Sequence, residues 1–211
     1  MADVSTRSVG ETKRVRLSPE ERRLQLITLG AEMLVDRSLE EISVDDIAKQ
    51  AGISRGLLFH YFASKQEFHE AIARHVSTEF FVAIMPNREL SLFDMLRDSI
   101  ERYVDYVCEH SAPYRSVLRG PASVTPDVAG QVNETRGAIA DLIIGELPLP
   151  PEGAELARLT LAIRGWIAFV EETILTWIVE KPISREQLVD LLVESLPALA
   201  LSPALIAALQ G

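Results

Sequence analysis

Residues 43–62 read SVDDIAKQAGISRGLLFHYF, and the rest of the chain is arranged around this stretch. Ser43 followed by Asp46 is typical of a helix start, because a serine hydroxyl and a carboxylate can bind the free N–H groups of a first turn. Apolar residues then recur at helical spacing. Gly52 ends this helix, because glycine adopts the left-handed conformation of a helix C-terminus without strain, and Ser54 caps a second helix.

The small and apolar residues of this stretch suit a close crossing of the two short helices. Ala48 is small enough to let them approach, and Ile53 and Leu58 fill the angle beside the glycine corner. These features predict a helix-turn-helix, whose second helix enters the major groove of DNA. The alternative interpretation is an ordinary helical hairpin inside a core.

The composition is typical of a soluble globular protein. The chain has 211 residues, of which 47% are hydrophobic and 25% charged, enough for one or two domains with a real core. It has no apolar run near the roughly 18 residues of a membrane helix and no signal-peptide core. Its one cysteine, Cys108, excludes an internal disulfide and suits a reducing compartment. We therefore expect a cytoplasmic protein.

The net charge of −10 does not favour DNA binding, but the charge is unevenly distributed. Residues 1–75 carry 11 Lys and Arg against 12 Asp and Glu, whereas residues 76–211 carry 10 against 19. A positive patch needs to be only local, because fields between exposed charges fall off within about 10 Å at ordinary salt. The acidic surplus therefore does not exclude a DNA-binding N-terminal part.

Three segments surround the helix-turn-helix. Residues 1–17 are polar and basic and predict a disordered arm, which is either a solvated tail or an arm that reaches DNA. Ser18 and Pro19 form a helix start, and the apolar spacing predicts a first helix to about Arg37. A capping pattern then predicts a long helix over residues 65–84, which would link the DNA-reading unit to the rest of the chain.

Residues 18–76 resemble the DNA-binding domain of the TetR family of bacterial transcriptional regulators. The resemblance rests on the first-helix pattern and on IAKQAGISRGLLFHYFASKQEF at residues 47–68. The aromatic cluster and the Ser-Lys helix start that follows it are specific to this family among helix-turn-helix proteins. Leu57 departs from the pattern, since the family often has threonine there, and a hydroxyl that could contact DNA is missing.

The remainder of the chain reads as helical, with no alternation of β-strand type and no internal repeat. Its last element is a short helical turn from Ser202. We predict an all-α fold: a three-helix helix-turn-helix DNA-binding domain over residues 18–64, and a larger C-terminal helical domain for ligand binding and dimerisation over residues 65–211.

The helix that ends near Glu180 is apolar on two sides, so we expect it to be buried on both. One stripe would serve the subunit core and the other a partner. The resemblance implies a homodimer through the last two long helices, about residues 154–180 and 185–196, and a two-fold dimer matches a palindromic operator. The first stripe is Ile163, Ile167, Val170, Ile174 and Ile178, and the second is Trp166, Phe169, Thr173 and Trp177.

The candidate DNA contacts divide into residues that position the protein on phosphates and residues that read bases. Lys65 lies at a helix N-terminus, which attracts anions, and Arg55 has a fork that matches the edge of guanine, although it could equally touch only phosphate. Tyr61 could instead be a core aromatic. The phosphate candidates are Ser43, Tyr61 and Lys65, and those on the exposed side of the second helix are Ser54, Arg55, Gly56 and His60.

By resemblance, the C-terminal domain holds a pocket for a small molecule. Such pockets are mostly apolar with a few polar groups, although aromatic residues at helical spacing are more often plain core. Arg136 or Arg164 could supply a polar anchor, and Arg164 and Glu171 could also pair across the dimer. The candidate lining residues are Met95, Tyr103, Tyr106, Arg136, Trp166, Phe169 and Trp177.

These features predict a DNA-binding transcriptional regulator, a ligand-responsive repressor that binds a palindromic operator as a homodimer. The alternative is a DNA-binding or interaction protein on the same scaffold with no small-molecule effector. We expect no enzyme activity, because the chain has no Gly-rich phosphate loop, metal-ligand spacing or nucleophile elbow. We expect no cofactor, no metal and no membrane partner.

Overall fold

A computed structural model describes residues 17–147 and 152–200, and within these residues it contains nine α-helices and no strand. The all-α prediction is confirmed. The predicted N-terminal arm, apart from Leu17, and the predicted turn from Ser202 lie outside the described residues. The helices are α1 Pro19–Met33, α2 Val44–Ala51, α3 Arg55–Tyr61, α4 Lys65–Ala83, α5 Leu92–Glu109, α6 Ser111–Arg119, α7 Pro126–Gly145, α8 Gly153–Glu180 and α9 Arg185–Ala200.

Serine residues cap the helices that build the DNA-binding part. The Ser18 hydroxyl accepts a hydrogen bond from the Glu21 N–H, and the Glu21 carboxylate accepts one from the Ser18 N–H, which is a complete capping box. The same acceptor role recurs at five further helix starts, two of them in the C-terminal part. These caps are Ser43, Ser54, Ser64, Ser91 and Ser184.

The corner between α2 and α3 has the geometry that its sequence predicts. Gly52 has φ 65° and ψ 37°, the left-handed conformation that favours glycine. The Ile53 N–H then donates to the Ala48 carbonyl at 2.9 Å, which closes the turn. Ile47 and Leu58 are fully buried between the helices.

The structure differs from the sequence-based prediction before and after this unit. Helix α1 ends at Met33 rather than near Arg37, because the N–H groups of residues 34–36 bind carbonyls three residues back and tighten the chain into turns. Two short 3-10 helices, Leu39–Glu41 and Pro121–Val124, were not predicted. The first has its own capping pattern, since the Glu41 carboxylate accepts from the Ser38 N–H at 2.8 Å.

Two apolar cores organise the described residues, and α4 contributes to both. Its first half gives Phe68 and Ile72 to the core of the DNA-binding part. Its second half gives Phe80, followed by its C-cap residue Ile84, to the larger core built by α5, α7, α8 and α9. The first core also contains four residues from the segment α6 to α7, so the two parts are packed together. These residues are Val117, Ala122, Val128 and Val132.

Much of the second apolar stripe of α8 is buried inside the protomer, like the first stripe. Trp166 and Trp177 of the second stripe are buried within the protomer, and their Nε1–H groups donate to the carbonyls of Leu192 at 3.1 Å and Ile183 at 2.8 Å. The expectation that one complete stripe packs on a partner is therefore wrong. The exposed face of α8 is a third, narrower strip: Leu161, Gly165, Ala168, Glu172, Thr176 and Val179.

Candidate DNA-binding helix and internal cavity

Helix α3 presents a continuous exposed surface. Leu58 is its one fully buried residue and fixes the helix on the core, while the side facing away from the protein remains open. The exposed residues include all four that the sequence indicated on this helix and its cap: Ser54, Arg55, Gly56 and His60. The Ser54 hydroxyl is at the same time the cap of α3, because it accepts the Leu57 N–H at 3.2 Å.

Arg55 lies in an exposed ion pair. Its guanidinium is 3.0 Å from the Asp45 carboxylate, and the two side chains are 63% and 65% exposed. The guanidinium also lies 5.6 Å from the centre of the Phe59 ring. An ion pair this exposed is weak, so Arg55 can exchange Asp45 for a base or a phosphate at small cost.

The three positioning candidates lie around α3. Lys65 is exposed, and its Nζ donates to the backbone carbonyl of Glu40 at 2.8 Å, which holds the amino group near the 3-10 helix. Tyr61 is half-buried against the N-terminal core and forms an edge contact with His60. Ser43 is half-buried and accepts the Asp46 N–H at 3.0 Å. All three are close to the start of α2 or α4.

Two apolar side chains on the exposed face of α3 were not among the predicted contacts. Leu57 is 39% exposed and Phe59 is 37% exposed, although both are large and lie beside Arg55. Apolar side chains on a recognition helix can pack on the methyl group of thymine. The available signal in the sequence is the run of three consecutive apolar residues, Leu57, Leu58 and Phe59, because one side of a helix cannot bury three residues in a row.

An elongated cavity of about 310 Å³ lies inside the larger core. Helices α4, α5, α7, α8 and α9 contribute its walls, which are almost entirely apolar. Three of the predicted ligand residues line it: Met95, Tyr103 and Trp166. The described charged residues of its lining are two carboxylates, Glu146 and Glu171.

The other four predicted ligand residues lie outside the lining of this cavity, each for a visible reason. Tyr106 packs on Phe80 and donates a long hydrogen bond of 3.4 Å to the Val76 carbonyl. Trp177 is held by its bond to Ile183, and Phe169 points to the surface at 36% exposure. Arg136 belongs to a smaller adjacent cavity and pairs with Glu171 within the protomer, rather than leaving Glu171 to Arg164.

The inner end of the large cavity is closed by two polar pairs. The hydroxyls of Tyr103 and Tyr114 share a hydrogen bond. The Arg136 guanidinium forms a bidentate ion pair with the Glu171 carboxylate, to which Nη2 donates at 2.6 Å and Nε donates at 2.9 Å. Burial raises the pKa of both tyrosines above the ordinary value, and the nearby Glu171 charge adds to this. Both phenols therefore remain protonated and act as hydrogen-bonding groups.

Two family descriptions match this chain. Residues 26–72 match "Bacterial regulatory proteins, tetR family", and residues 92–199 match "Tetracyclin repressor-like, C-terminal domain". The chain belongs to the TetR family. It is a DNA-binding transcriptional regulator, with the helix-turn-helix of α2 and α3 as its DNA-binding element.

Solved structures and characterised relatives agree with this assignment. A TetR-family regulator from Streptomyces coelicolor is 34% identical, with a TM-score of 0.75 over 87% of this chain and 82% of that one. The HTH-type transcriptional activator FasR of Mycolicibacterium smegmatis is 28% identical over 86% of this chain and 84% of its own. FadR of Bacillus subtilis, solved with stearoyl-CoA, shares the fold with a TM-score of 0.62 at 18% identity, over 82% and 96% of the two chains.

Two further properties concern the described part of the TetR-family chain. None of its described helices has the length and apolarity needed to cross a membrane. No group of three or more His, Cys, Asp or Glu side chains in residues 17–147 and 152–200 is placed to hold a metal ion.

Proposed function

We propose that this TetR-family protein is a ligand-responsive repressor that binds a palindromic operator as a homodimer. The observation that carries the proposal is the apolar cavity, because it is lined by Phe80 of α4 and by Ile84, the residue that caps the C-terminus of α4, and α4 also builds the DNA-binding core. A molecule in the cavity touches α4 directly. The alternative of a scaffold with a filled interior and no effector is disfavoured by the presence of this space.

The domain assignment follows the same division. Residues 18–64 bind DNA, residues 65–211 bind the effector and dimerise, and α4 links the two functions. In the DNA-binding part, Arg55 and His60 face bases or phosphates from α3, together with Ser54 and Gly56. Lys65, Tyr61 and Ser43 hold the phosphates on either side.

The dimer forms through α8 and α9. The exposed strip of α8 is apolar at both ends, where Leu161 is 73% and Val179 is 66% exposed, and between them it has the small residues Gly165, Ala168 and Thr176 and one charged residue, Glu172. Leu191 on α9 is 44% exposed and extends the apolar surface. Small residues let two helices approach closely, and burial of exposed leucine and valine stabilises their association. A two-fold pair places two α3 helices for successive major grooves, about 34–36 Å apart.

Ligand binding changes DNA affinity through the position of α4. A ligand that favours one pitch of α4 changes the separation of the two α3 helices, and a coupling free energy of about 1–3 kcal/mol shifts operator affinity by about 5- to 150-fold. The dominantly apolar lining, and the stearoyl-CoA bound to FadR, support an apolar effector. In a repressor, effector binding lowers operator affinity and releases the protein from the DNA.

Activation is a second candidate for the direction of control. It is favoured by one observation, that the relative matched over most of its length, FasR, is named a transcriptional activator. Repression requires only that the operator be occupied, whereas activation requires a contact with the transcription machinery as well. Transcription in vitro from an operator-bearing promoter separates the two, because a repressor lowers the transcript level and an activator raises it.

The test of the proposed function begins with genomic DNA fragments that the purified protein enriches. The enriched sequence is then titrated with protein, with and without apolar small molecules that quench the fluorescence of Trp166 in the cavity lining. We expect at least one such ligand to change operator affinity about fivefold or more. Ligands that bind tightly and leave operator affinity unaltered would contradict the proposal.

A further inference from the structure

The residues that line the cavity extend along most of α5 and along the middle of α8, and among the described residues the lining is exposed at one end. Its lining follows α5 from Leu92 to Tyr103 and α8 from Leu159 to Glu171, which at 1.5 Å per helical residue is about 16–18 Å. Leu92 and the neighbouring Phe93 are 42% and 50% exposed, whereas Tyr103 is 7% exposed. The cavity therefore opens beside the start of α5 and ends at Tyr103.

The closed end offers no free charge to a ligand. The Glu171 carboxylate is occupied by Arg136, and the Tyr103 hydroxyl is occupied by Tyr114. An anionic head group placed there would lie beside the Glu171 charge, away from water, which is strongly unfavourable. The inner end therefore suits the apolar terminus of a molecule.

The open end is where a polar head group finds partners and water. Glu146 lines the cavity there and forms an ion pair with Arg88 at 2.8 Å, and the Arg88 side chain is 69% exposed. Between this pair and Tyr103 the described walls are almost wholly apolar. A ligand with one straight hydrocarbon chain and a polar head group matches both ends. Its chain lies against the apolar walls, and its head group stays at the mouth, the exposed end beside Arg88 and Glu146.

The closed end is connected to the DNA-binding part through α6. Tyr114 and Ser116 both belong to α6, and the buried Ser116 hydroxyl accepts the backbone N–H of Leu39 at 3.1 Å. Phe80 of α4 lies against both phenols, with ring centres 4.7 Å from Tyr103 and 5.5 Å from Tyr114. Displacement of Tyr103 therefore moves groups on both helices that contact the DNA-binding core.

We propose that the cavity measures the length of a single straight hydrocarbon chain, and that only a chain long enough to displace Tyr103 changes DNA binding. The proposal rests on the ligand-responsive function above and names its ligand class. A fully extended chain of roughly fourteen carbon atoms spans the distance from the mouth to Tyr103. Shorter chains bind in the apolar section and leave the Tyr103–Tyr114 pair in place. Longer chains reach the pair and shift it.

The binding test uses straight-chain fatty acids and the matching primary alcohols of about 8 to 18 carbons, below their aggregation limits. Trp166 reports binding in a Trp177→Phe variant, which removes the one other tryptophan. Affinity should rise about fourfold per methylene group up to roughly fourteen carbons and then level off. Acids and alcohols of one length should bind alike, because their head groups stay at the mouth. An affinity that does not depend on chain length would overturn the proposal. A difference of more than about tenfold in affinity between an acid and an alcohol of the same length would also overturn it.

The response test compares Tyr103→Phe with Tyr106→Phe on the same helix. Both variants keep the ring and lose one hydroxyl, but the Tyr106 side chain lies outside the cavity lining. We expect the affinity of Tyr103→Phe for every chain to lie within about twofold of the parent's affinity. The change in operator affinity that a long chain causes should be about tenfold smaller in this variant than in the parent. Tyr106→Phe should behave like the parent. Equal responses in both variants would refute the role of the Tyr103–Tyr114 pair.

The outcomes also separate this proposal from the proposed function. If a compact aromatic molecule changes operator affinity and no chain does, the length measurement is wrong and ligand response stands. If chains bind with the expected length dependence and no bound ligand of any kind changes operator affinity, both are wrong.

Discussion

The backbone N–H of Leu39 donates a 3.1 Å hydrogen bond to the buried hydroxyl of Ser116, 77 residues later in the chain. Leu39 belongs to the 3-10 helix that precedes the helix-turn-helix, and Ser116 belongs to α6 beside the cavity. This bond joins the DNA-binding part to the C-terminal helical part at a point outside α4.

Ser116→Ala should destabilise the protein by about 1–3 kcal/mol, because it leaves the buried N–H of Leu39 without an acceptor. Urea unfolding followed by circular dichroism measures the loss. Ser123→Ala is the matched control, since that half-buried serine makes no side-chain hydrogen bond with the described residues, and it should change stability by less than about 0.5 kcal/mol. Equal values for the two variants would show that the Leu39 contact is not formed in solution.

Arg55→Ala and Lys65→Ala should weaken DNA binding in different ways. The first should cost about 1–3 kcal/mol on the operator and relax the preference at one base pair, whereas the second should weaken all sequences alike and flatten the salt dependence. Arg115→Ala is the control, because Arg115 is an exposed arginine on α6, outside both α3 and the exposed strip of α8. Titrations of operator and random DNA at several salt concentrations test this. Equal losses on both DNAs for both variants would refute the division of roles.

Leu161→Glu should convert the dimer to monomers, because it places a charge in the apolar strip of α8. Sedimentation velocity measures the change, and operator affinity should fall with it. Val124→Glu is the matched control, since Val124 is also apolar and 83% exposed but lies on the second 3-10 helix. A Leu161→Glu protein that sediments as a dimer would exclude α8 from the interface.

His69 should make the protein less stable in mild acid. Burial lowers its pKa below the ordinary value of 6.5, the hydrogen bond to the Ile42 carbonyl opposes this, and Lys65 lowers it further while Glu40 raises it. The folded state therefore binds the proton less readily than the unfolded chain, and stability falls as the pH drops below about 6.5, by at most about 1.4 kcal/mol per pH unit.

The variant His69→Gln should remove this contribution and flatten the profile of unfolding free energy between about pH 7 and pH 5. His60→Gln, at an exposed position on α3, should keep the parent slope. An unchanged slope in His69→Gln would show that other groups carry the acid sensitivity.

The features that depend on residues close together in the chain could be predicted from the sequence. The serine caps, the left-handed Gly52 and the exposed face of α3 follow from residue types and spacing, and each is present. The structure departs where long-range packing decides. The end of α1, the 3-10 helix at Leu39 and the bond from Leu39 to Ser116 depend on contacts with distant segments, which spacing cannot reveal.

The cavity shows the same limit. Large apolar residues at helical spacing on α5 and α8 identified Met95, Tyr103 and Trp166 among its lining. Periodicity could not separate them from Tyr106 and Trp177, which lie on the same helices but pack inside the protein. The sequence could not reveal the pairing of Arg136 with Glu171 either, because the two residues lie 35 positions apart on different helices.

Footprinting on the enriched genomic operator tests the central claim most directly. The account predicts protection of an inverted repeat whose half-sites are centred about 34–36 Å apart, or a multiple of this, with two protomers per repeat at saturation. Protection should disappear with Leu161→Glu and persist with Val124→Glu. Enrichment of no sequence over random DNA, or full protection of one isolated half-site by a monomer, would contradict the account.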